Sequence, residues 1–179
     1  MRNTSFLTVV TLAILFPLLL SAQKEGKSAT GIKWLTFEEA MALNSKKPKM
    51  VFIDFYTDWC GWCKKMDNET FSDPAVADIM NKRFYAVKFN AEHPDPMEFK
   101  EQRFVNPNPQ KARSTHQLAL ALMKNERLYP SYVILDKASD WTYKLKGYKT
   151  PQELIPILKF YGEGTYKKMN WGEYKQSQQ

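Results

Sequence analysis

The chain has 179 residues, 44% of them hydrophobic, which is typical of one globular domain with an ordinary core. Its 26 basic and 19 acidic residues give a formal net charge of +7, but the basic residues are scattered and no nucleic-acid motif accompanies them. The composition therefore predicts a solvated basic surface and argues against a nucleic-acid partner.

The first 22 residues have the pattern of an export signal. Arg2 gives a basic start, Phe6–Leu20 is apolar, and Leu20-Ser21-Ala22 offers small residues for cleavage. The apolar stretch is shorter than the roughly 20 residues of a membrane span, which favours cleavage after Ala22 over a retained N-terminal anchor. We expect an exported chain without stable membrane insertion after cleavage, which starts with a polar linker over residues 23–34.

Two predicted elements follow the linker. Thr36 and Glu39 form a capping box for a short helix that ends near Leu43. Lys49–Tyr56 is a nearly continuous apolar run of strand-forming residues, as in a central strand buried on both faces. Asp54 is the one acidic residue inside this run, so its burial predicts a raised pKa.

The two cysteines of the chain lie in the segment Cys60-Gly61-Trp62-Cys63, directly after this strand. A helix that begins near Cys60 places its thiol among the free N–H groups of the first turn, where the helix dipole favours a thiolate. A disulfide between such close residues closes a loop too short to constrain the unfolded chain much. The spacing therefore indicates a redox pair rather than a structural staple, with Cys60 attacking and Cys63 resolving.

The next elements complete a βαβ unit. Asp73 as N-cap and Pro74 at the first position start a second helix that reaches about Asn81. Phe84–Phe89 then forms a strand, which the crossover makes parallel to the first strand.

The remaining elements are separated by polar or proline-rich segments. Glu92–Lys111 predicts a surface excursion with a short helix around Met97–Arg103. Then the pattern predicts, in chain order, a helix at Gln117–Asn125, strands at Ser131–Leu135 and Trp141–Leu145, and a helix at Gln152–Tyr161. Residues 163–179 form a basic, aromatic C-terminal tail without a clear period.

This order of elements, with Cys-x-x-Cys after the first strand, resembles the thioredoxin family. The segment Trp59-Cys60-Gly61-Trp62-Cys63-Lys64 is similar to the family's Trp-Cys-Gly-Pro-Cys-Lys, and Asp54 stands where thioredoxins carry a buried acid. Further matches are Lys88 in the third thioredoxin strand, Tyr129-Pro130-Ser131 in the cis-proline loop, and Gly147 before the last helix. The resemblance implies an α/β three-layer fold over residues 35–162, with a central mixed sheet of about four to five strands flanked by helices.

The segment Thr70–Val76 resembles exported bacterial members of the family, akin to the C-terminal domain of periplasmic electron-transfer reductases. The resemblance implies a periplasmic thiol–disulfide oxidoreductase that acts on disulfide-containing exported proteins. A membrane or periplasmic electron donor would recharge it. The redox-active Cys60–Cys63 disulfide would serve without a separate cofactor and without a metal.

The resemblance also implies roles for particular residues. Asp54 would accept the proton of Cys63 through a water, and Lys88 would lie beside Asp54 and tune it. The residues expected to contact the substrate are Trp59, Gly61, Trp62, Tyr129, Pro130 and Ser131. Because Trp62 replaces the family's proline, the resemblance does not imply the redox poise of the cysteine pair. The acid in the strand and Gly61 favour reduction over oxidation.

Other classes of function fit the sequence less well. A zinc site would need Cys60, Cys63, His93 and His116, which have no recognised ligand spacing. Covalent haem attachment would need a histidine where Lys64 stands. The remaining alternatives are a thioredoxin-fold binding or chaperone module with incidental thiols, and an oxidant or isomerase of the same fold.

Overall fold

The structure is a computed structural model that describes residues 31–178, so the predicted signal and most of the predicted linker lie outside the described residues. The described elements are, in chain order, β1 (Trp34–Leu35), α1 (Phe37–Lys46), β2 (Met50–Tyr56), α2 (Gly61–Glu69), α3 (Pro74–Arg83), β3 (Phe84–Asn90), β4 (Met97–Phe99), β5 (Gln102–Phe104), α4 (Gln117–Leu122), β6 (Ser131–Leu135), β7 (Trp141–Lys146), α5 (Pro151–Gly162) and α6 (Trp171–Ser177), with a 3-10 turn at Thr165–Lys167. Within this range, no helix is both long and apolar enough to cross a membrane.

Five strands form one mixed sheet in the order β1-β3-β2-β6-β7. Strands β1, β3 and β2 are parallel, whereas β6 is antiparallel to both β2 and β7. The sheet confirms the predicted α/β fold and the parallel β2–β3 pair. Strand β1 was not predicted, because Trp34 lies at the end of a polar segment and pairs with Ala86 only in the folded chain.

Helices cover both faces of the sheet and produce two hydrophobic clusters. One cluster joins α2, α3, α5 and α6 to side chains of β2 such as Phe52. The other joins α1 and α4 to Val51, Ile53 and Phe55 on the opposite face. Strand β2 therefore lies at the centre of three layers, which explains its continuous apolar run.

The segment predicted as a helix around Met97–Arg103 is instead a hairpin of β4 and β5, so that prediction is wrong. Met97 pairs with Phe104, and Phe99 packs edge-on against Phe37 of α1. The turn places Lys100 and Glu101 in the left-handed region, with φ of 49° and 63°. Because lysine and glutamate rarely adopt such a turn, its residues do not signal it in the sequence.

The C-terminal tail, for which the sequence predicted no element, contains α6. Asn170 and Glu173 form a capping box at its start. Tyr174 is buried, with its ring 5.0 Å from that of Phe160 on α5, and Trp171 contacts the same ring at 5.2 Å. The tail thus packs on the core through Trp171 and Tyr174.

Candidate functional site: a disulfide at a helix N-terminus and a buried carboxylate

Cys60 and Cys63 form a disulfide at the N-terminus of α2. The chain turns after β2 through a bond from the Cys60 N–H to the Thr57 carbonyl, at 3.0 Å. Cys60 is the N-cap residue, and its sulfur accepts the Cys63 N–H at 3.1 Å. Cys60 is 5% and Cys63 3% exposed, so both residues are buried and their exposure differs little.

The Cys60 sulfur stands where a helix end stabilises negative charge. Once the disulfide is reduced, the Cys63 N–H and the dipole of α2 both favour a thiolate at this position. Gly61 is exposed, and a Cβ added to it would meet no atom within 4 Å. The surface beside the disulfide is therefore open on the Gly61 side.

Asp54 and Lys88 form an ion pair on the α2–α3 face of the sheet. They are register partners on β2 and β3, so their side chains leave the sheet on one face. The Lys88 Nζ donates to Asp54 Oδ2 at 2.6 Å and also to Asp67 Oδ1 on α2. The Lys88 ammonium lies 5.0 Å to 5.2 Å from the ring centres of Trp34, Tyr56 and Phe71.

Burial determines the protonation of this pair. Asp54 is only 1% exposed, and burial raises its pKa from 3.8 to about 6, against the opposing effect of Lys88. The pKa of Lys88 is also raised, because burial, which lowers it, is outweighed by the carboxylates of Asp54 and Asp67. The second Asp54 oxygen, Oδ1, is buried and has no hydrogen-bond partner in the described part of the chain.

The Tyr129–Pro130 peptide bond is cis, as the resemblance implied. The Pro130 carbonyl accepts the Gly147 N–H at 2.8 Å, and Gly147 has a φ of 71°, which favours glycine. The Ser131 hydroxyl donates to the Leu128 carbonyl at 2.6 Å, and Ser131 pairs with Phe55 near the end of β2. The loop therefore lies at the end of the sheet from which the chain enters the Cys60 turn.

Trp59 and Trp62, which were expected to contact the substrate, lie next to the cysteines in the chain and are exposed. Trp59 is 52% exposed and donates its indole N–H to Glu92 at 2.8 Å. Its ring meets that of Tyr129 edge-on at 6.0 Å. Trp62 is 59% exposed, and its ring centre lies 5.8 Å from that of Tyr148.

Sequence reasoning missed several residues that contact the predicted ones. Helical spacing could have indicated Asp67, since it follows Cys63 by four residues and lies on the same face of the helix. No local pattern connects Trp59 to Glu92, because the contact spans 33 residues. The residues missed in this way are Glu92, Arg113 and Tyr148.

The two histidines have structural contacts. The buried His116 caps α4, where its Nδ1 accepts the Leu118 N–H and its Nε2 lies 3.1 Å from the Asp95 carbonyl. The His93 Nδ1 accepts the Asp95 N–H. Across residues 31–178, no cluster of three or more histidine, cysteine or acidic side chains is placed to hold a metal ion.

The fold and the site together define a class of protein. A family model of a thioredoxin-like domain matches residues 37–162, and the chain therefore belongs to the thioredoxin-like family. With the Cys60–Cys63 disulfide at the start of α2, the protein combines a thioredoxin-like domain with a cysteine pair of the kind that thiol–disulfide exchange uses.

Comparisons with individual proteins show what else the chain is similar to. The thiol:disulfide interchange protein DsbD of Vibrio vulnificus is 44% identical over 62 residues, a match that covers 32% of this chain and 10% of the relative. Among solved structures, a DsbH oxidoreductase has a TM-score of 0.56 at 17% identity. This match covers 79% of the present chain and 91% of the DsbH chain. A putative disulphide-isomerase from Bacteroides thetaiotaomicron has a TM-score of 0.51 at 25% identity, with coverages of 74% and 93%.

Proposed function

We propose that the protein reduces disulfides in exported proteins with the Cys60–Cys63 dithiol. The observation that carries the proposal is the cysteine pair at the N-terminus of α2, on a fold whose β2 holds the buried Asp54. DsbD, the relative with 44% identity over the matched segment, is itself a thiol:disulfide interchange protein.

The reaction is two successive exchanges. The Cys60 thiolate attacks one substrate sulfur, a mixed disulfide forms, and the other substrate sulfur leaves as a thiolate and takes a proton. Cys63 then loses its proton and attacks the Cys60 sulfur, which releases the second substrate thiolate and closes the Cys60–Cys63 disulfide. One electron pair has moved from the protein dithiol to the substrate disulfide.

Asp54 is the proposed proton acceptor for Cys63. A carboxyl group with a pKa of about 6 is largely ionised at neutral pH yet basic enough to take a proton. Lys88 holds one oxygen of Asp54 and leaves Oδ1 free to receive that proton, directly or through a water. Pro130, its neighbours Tyr129 and Ser131, Trp59, Gly61 and Trp62 would form the substrate surface.

Cysteine variants test the proposal. We expect the wild-type protein to reduce a protein disulfide such as that of insulin with a dithiol donor, and Cys60→Ser to be inactive. Cys63→Ser should accumulate mixed disulfides with substrates, which electrophoresis without reductant detects. A wild-type protein no more active than Cys60→Ser would refute the oxidoreductase cycle.

A redox titration of Cys60 and Cys63 tests the direction. About 30 mV corresponds to a tenfold change in equilibrium for this two-electron couple, so a potential near that of thioredoxin, about −270 mV, would support reduction. A potential near that of a strong oxidant, about −120 mV, would contradict it. Efficient repair of scrambled disulfides would favour an isomerase, the activity that the Bacteroides thetaiotaomicron neighbour suggests.

We further propose that the chain is exported to the periplasm, where a membrane or periplasmic electron donor recharges it. The support is the pattern of residues 1–22, a basic start, an apolar stretch and small residues before Gln23. Fractionation of cells that express the full chain should place the protein in the periplasm with Gln23 as its first residue. A full-length chain in the cytoplasmic fraction would contradict export.

A further inference from the structure

Each exposed tryptophan beside the disulfide has a cation over its ring. The Arg113 guanidinium lies 5.1 Å from the centre of Trp59. The Lys65 ammonium lies 5.7 Å from the centre of Trp62 and 5.4 Å from that of Tyr148. We call the set of Trp59, Trp62, Lys65 and Arg113 the cationic rim.

The carboxylates next to the cationic rim already have donors. Glu92 accepts the Trp59 indole N–H, and Asp58 accepts from the Asn90 amide at 3.3 Å. Glu69 accepts the Tyr148 hydroxyl and lies 3.4 Å from Lys65. Arg113 is exposed and has no carboxylate partner within residues 31–178.

A guanidinium that lies over an aromatic ring still has N–H groups to offer to a ligand. A cation–π contact uses the charge of the guanidinium and does not by itself occupy its N–H donors. These donors match a carboxylate, which accepts two of them at once. The Trp59–Arg113 pair therefore combines an apolar surface with a free anion-binding edge next to Cys60.

The long connection after β3 holds Arg113 in place. Asn106 donates to the Ser114 carbonyl at 2.9 Å and accepts the Ser114 hydroxyl, and the Ser114 N–H donates to the Lys111 carbonyl at 3.1 Å. Arg113 itself has a φ of 65°, in the left-handed region. The connection is thus folded on itself around Asn106 and presents Arg113 to Trp59.

We propose that the cationic rim selects disulfides whose cysteines are flanked by acidic residues. The inference rests on the proposed function and names the substrate class of that same site. A flanking carboxylate would pair with Arg113 on the Trp59 side or with Lys65 on the Trp62 side. Exposed ion pairs each change an equilibrium by up to about fivefold, so two of them give a preference of order tenfold that salt weakens.

Three matched peptides test the selection. Each has one intramolecular disulfide, and they differ only in having Asp, Ser or Lys next to the cysteines. The pre-reduced protein is mixed with each peptide, and chromatography of the quenched mixture gives the second-order rate constant of peptide reduction. We expect the Asp peptide to react about tenfold faster than the Lys peptide, with the ratio falling toward one as salt rises from about 0.05 M to about 0.5 M.

Charge variants connect the preference to the rim. Lys65→Gln with Arg113→Gln should abolish most of the ratio between the Asp and Lys peptides, and Lys65→Glu with Arg113→Glu should invert it. The control is Lys82→Gln with Arg83→Gln, which removes the same charge at the end of α3, where β3 begins, away from the Cys60 end of the sheet. This control should keep the wild-type ratio.

The outcomes separate this inference from the proposed function. If the Ser peptide is reduced but the Asp and Lys peptides react equally fast, the rim does not select acidic substrates although the protein is a reductase. If the reversed variant keeps the preference for Asp, the selecting charges lie elsewhere and the inference is wrong. If no peptide is reduced, the proposed function itself fails.

Discussion

Asp54 has one carboxylate oxygen bound to Lys88 and the other buried without a hydrogen-bond donor in the described residues. An unpaired buried oxygen costs stability, since the group has lost its water and has gained no replacement. That cost raises the pKa of Asp54 to about 6, which makes the group useful as a base near neutral pH. At this residue, the burial that lowers stability also provides the pKa that the proposed proton transfer needs.

Replacing Asp54 tests its role as a base. Asp54→Asn keeps the shape of the side chain but removes the proton acceptor, so we expect resolution of the mixed disulfide by Cys63 to slow about 100-fold at neutral pH. Attack by Cys60 should change much less. Rapid-quench measurement of the mixed disulfide checks both steps. If Asp54→Asn resolves the mixed disulfide as fast as wild type between about pH 6 and about pH 8, Asp54 is not the base.

Asp67 should influence the same pH dependence through Lys88. Its carboxylate raises the pKa of Asp54 and shares the Lys88 ammonium, so Asp67→Asn should lower the pKa of Asp54 and move the midpoint of resolution to lower pH. The matched control is Asp78→Asn on α3, which also removes a half-exposed carboxylate paired with a lysine. An equal midpoint in wild type, Asp67→Asn and Asp78→Asn would contradict this role.

At the scale of elements, α6 contributes to the core although its sequence has no strong period. Tyr174 is 7% exposed and packs on Phe160 and Trp171. We expect Tyr174→Ala to lower the free energy of unfolding by about 3 kcal/mol, because it leaves a cavity between α5 and α6. Urea denaturation measures this, with the exposed Lys175→Ala next to it as control, expected within about 0.5 kcal/mol of wild type.

The connection between β3 and α4 is a second element with a defined structure. Its hairpin buries Met97 and packs Phe99 on α1, and its remainder folds around Asn106. Through Glu92 and Arg113 it contacts both the edge and the face of Trp59. The segment therefore forms part of the surface around Trp59, next to the disulfide in the chain.

For the whole molecule, two buried groups have opposite effects on the stability of the fold as pH falls. Because the pKa of Asp54 is raised in the folded state, the folded protein takes up this proton at a higher pH than the unfolded chain does. Protonation of Asp54 therefore increases the stability as pH falls from about 6 toward 3.8. Burial lowers the pKa of His116 below 6.5, so stability is lost as pH falls below that value, where the unfolded state takes up more protons. The two effects partly cancel in the range that they share.

Single variants should expose this cancellation. Stability should fall more steeply on acidification in Asp54→Asn than in wild type, because only the loss at His116 remains. It should fall less steeply in His116→Asn, where asparagine can still cap α4. Urea unfolding between about pH 7 and about pH 4.5 measures the slopes, and parallel curves for the three proteins would show that neither group carries the pH dependence.

Local patterns were sufficient for much of the fold and the centre of the site. Thr36, Asp73 and Pro74 start helices in the structure as their capping chemistry predicted, and the apolar run before Cys60 is the central strand. The pairing of Lys88 with Asp54 followed from the thioredoxin resemblance. The hairpin turn at Lys100 and Glu101 was not predictable, because neither residue type signals the left-handed backbone that the turn adopts.

By itself, the sequence determined the dithiol, its place at a helix N-terminus and the acid inside the strand before it, because short-range backbone chemistry and periodicity govern all three. Only the tertiary structure decided that Lys88 is shared with Asp67, that Arg113 lies over Trp59 and that Tyr174 completes the core. These contacts join residues far apart in the chain, and their energies depend on burial and distance, which no local pattern contains.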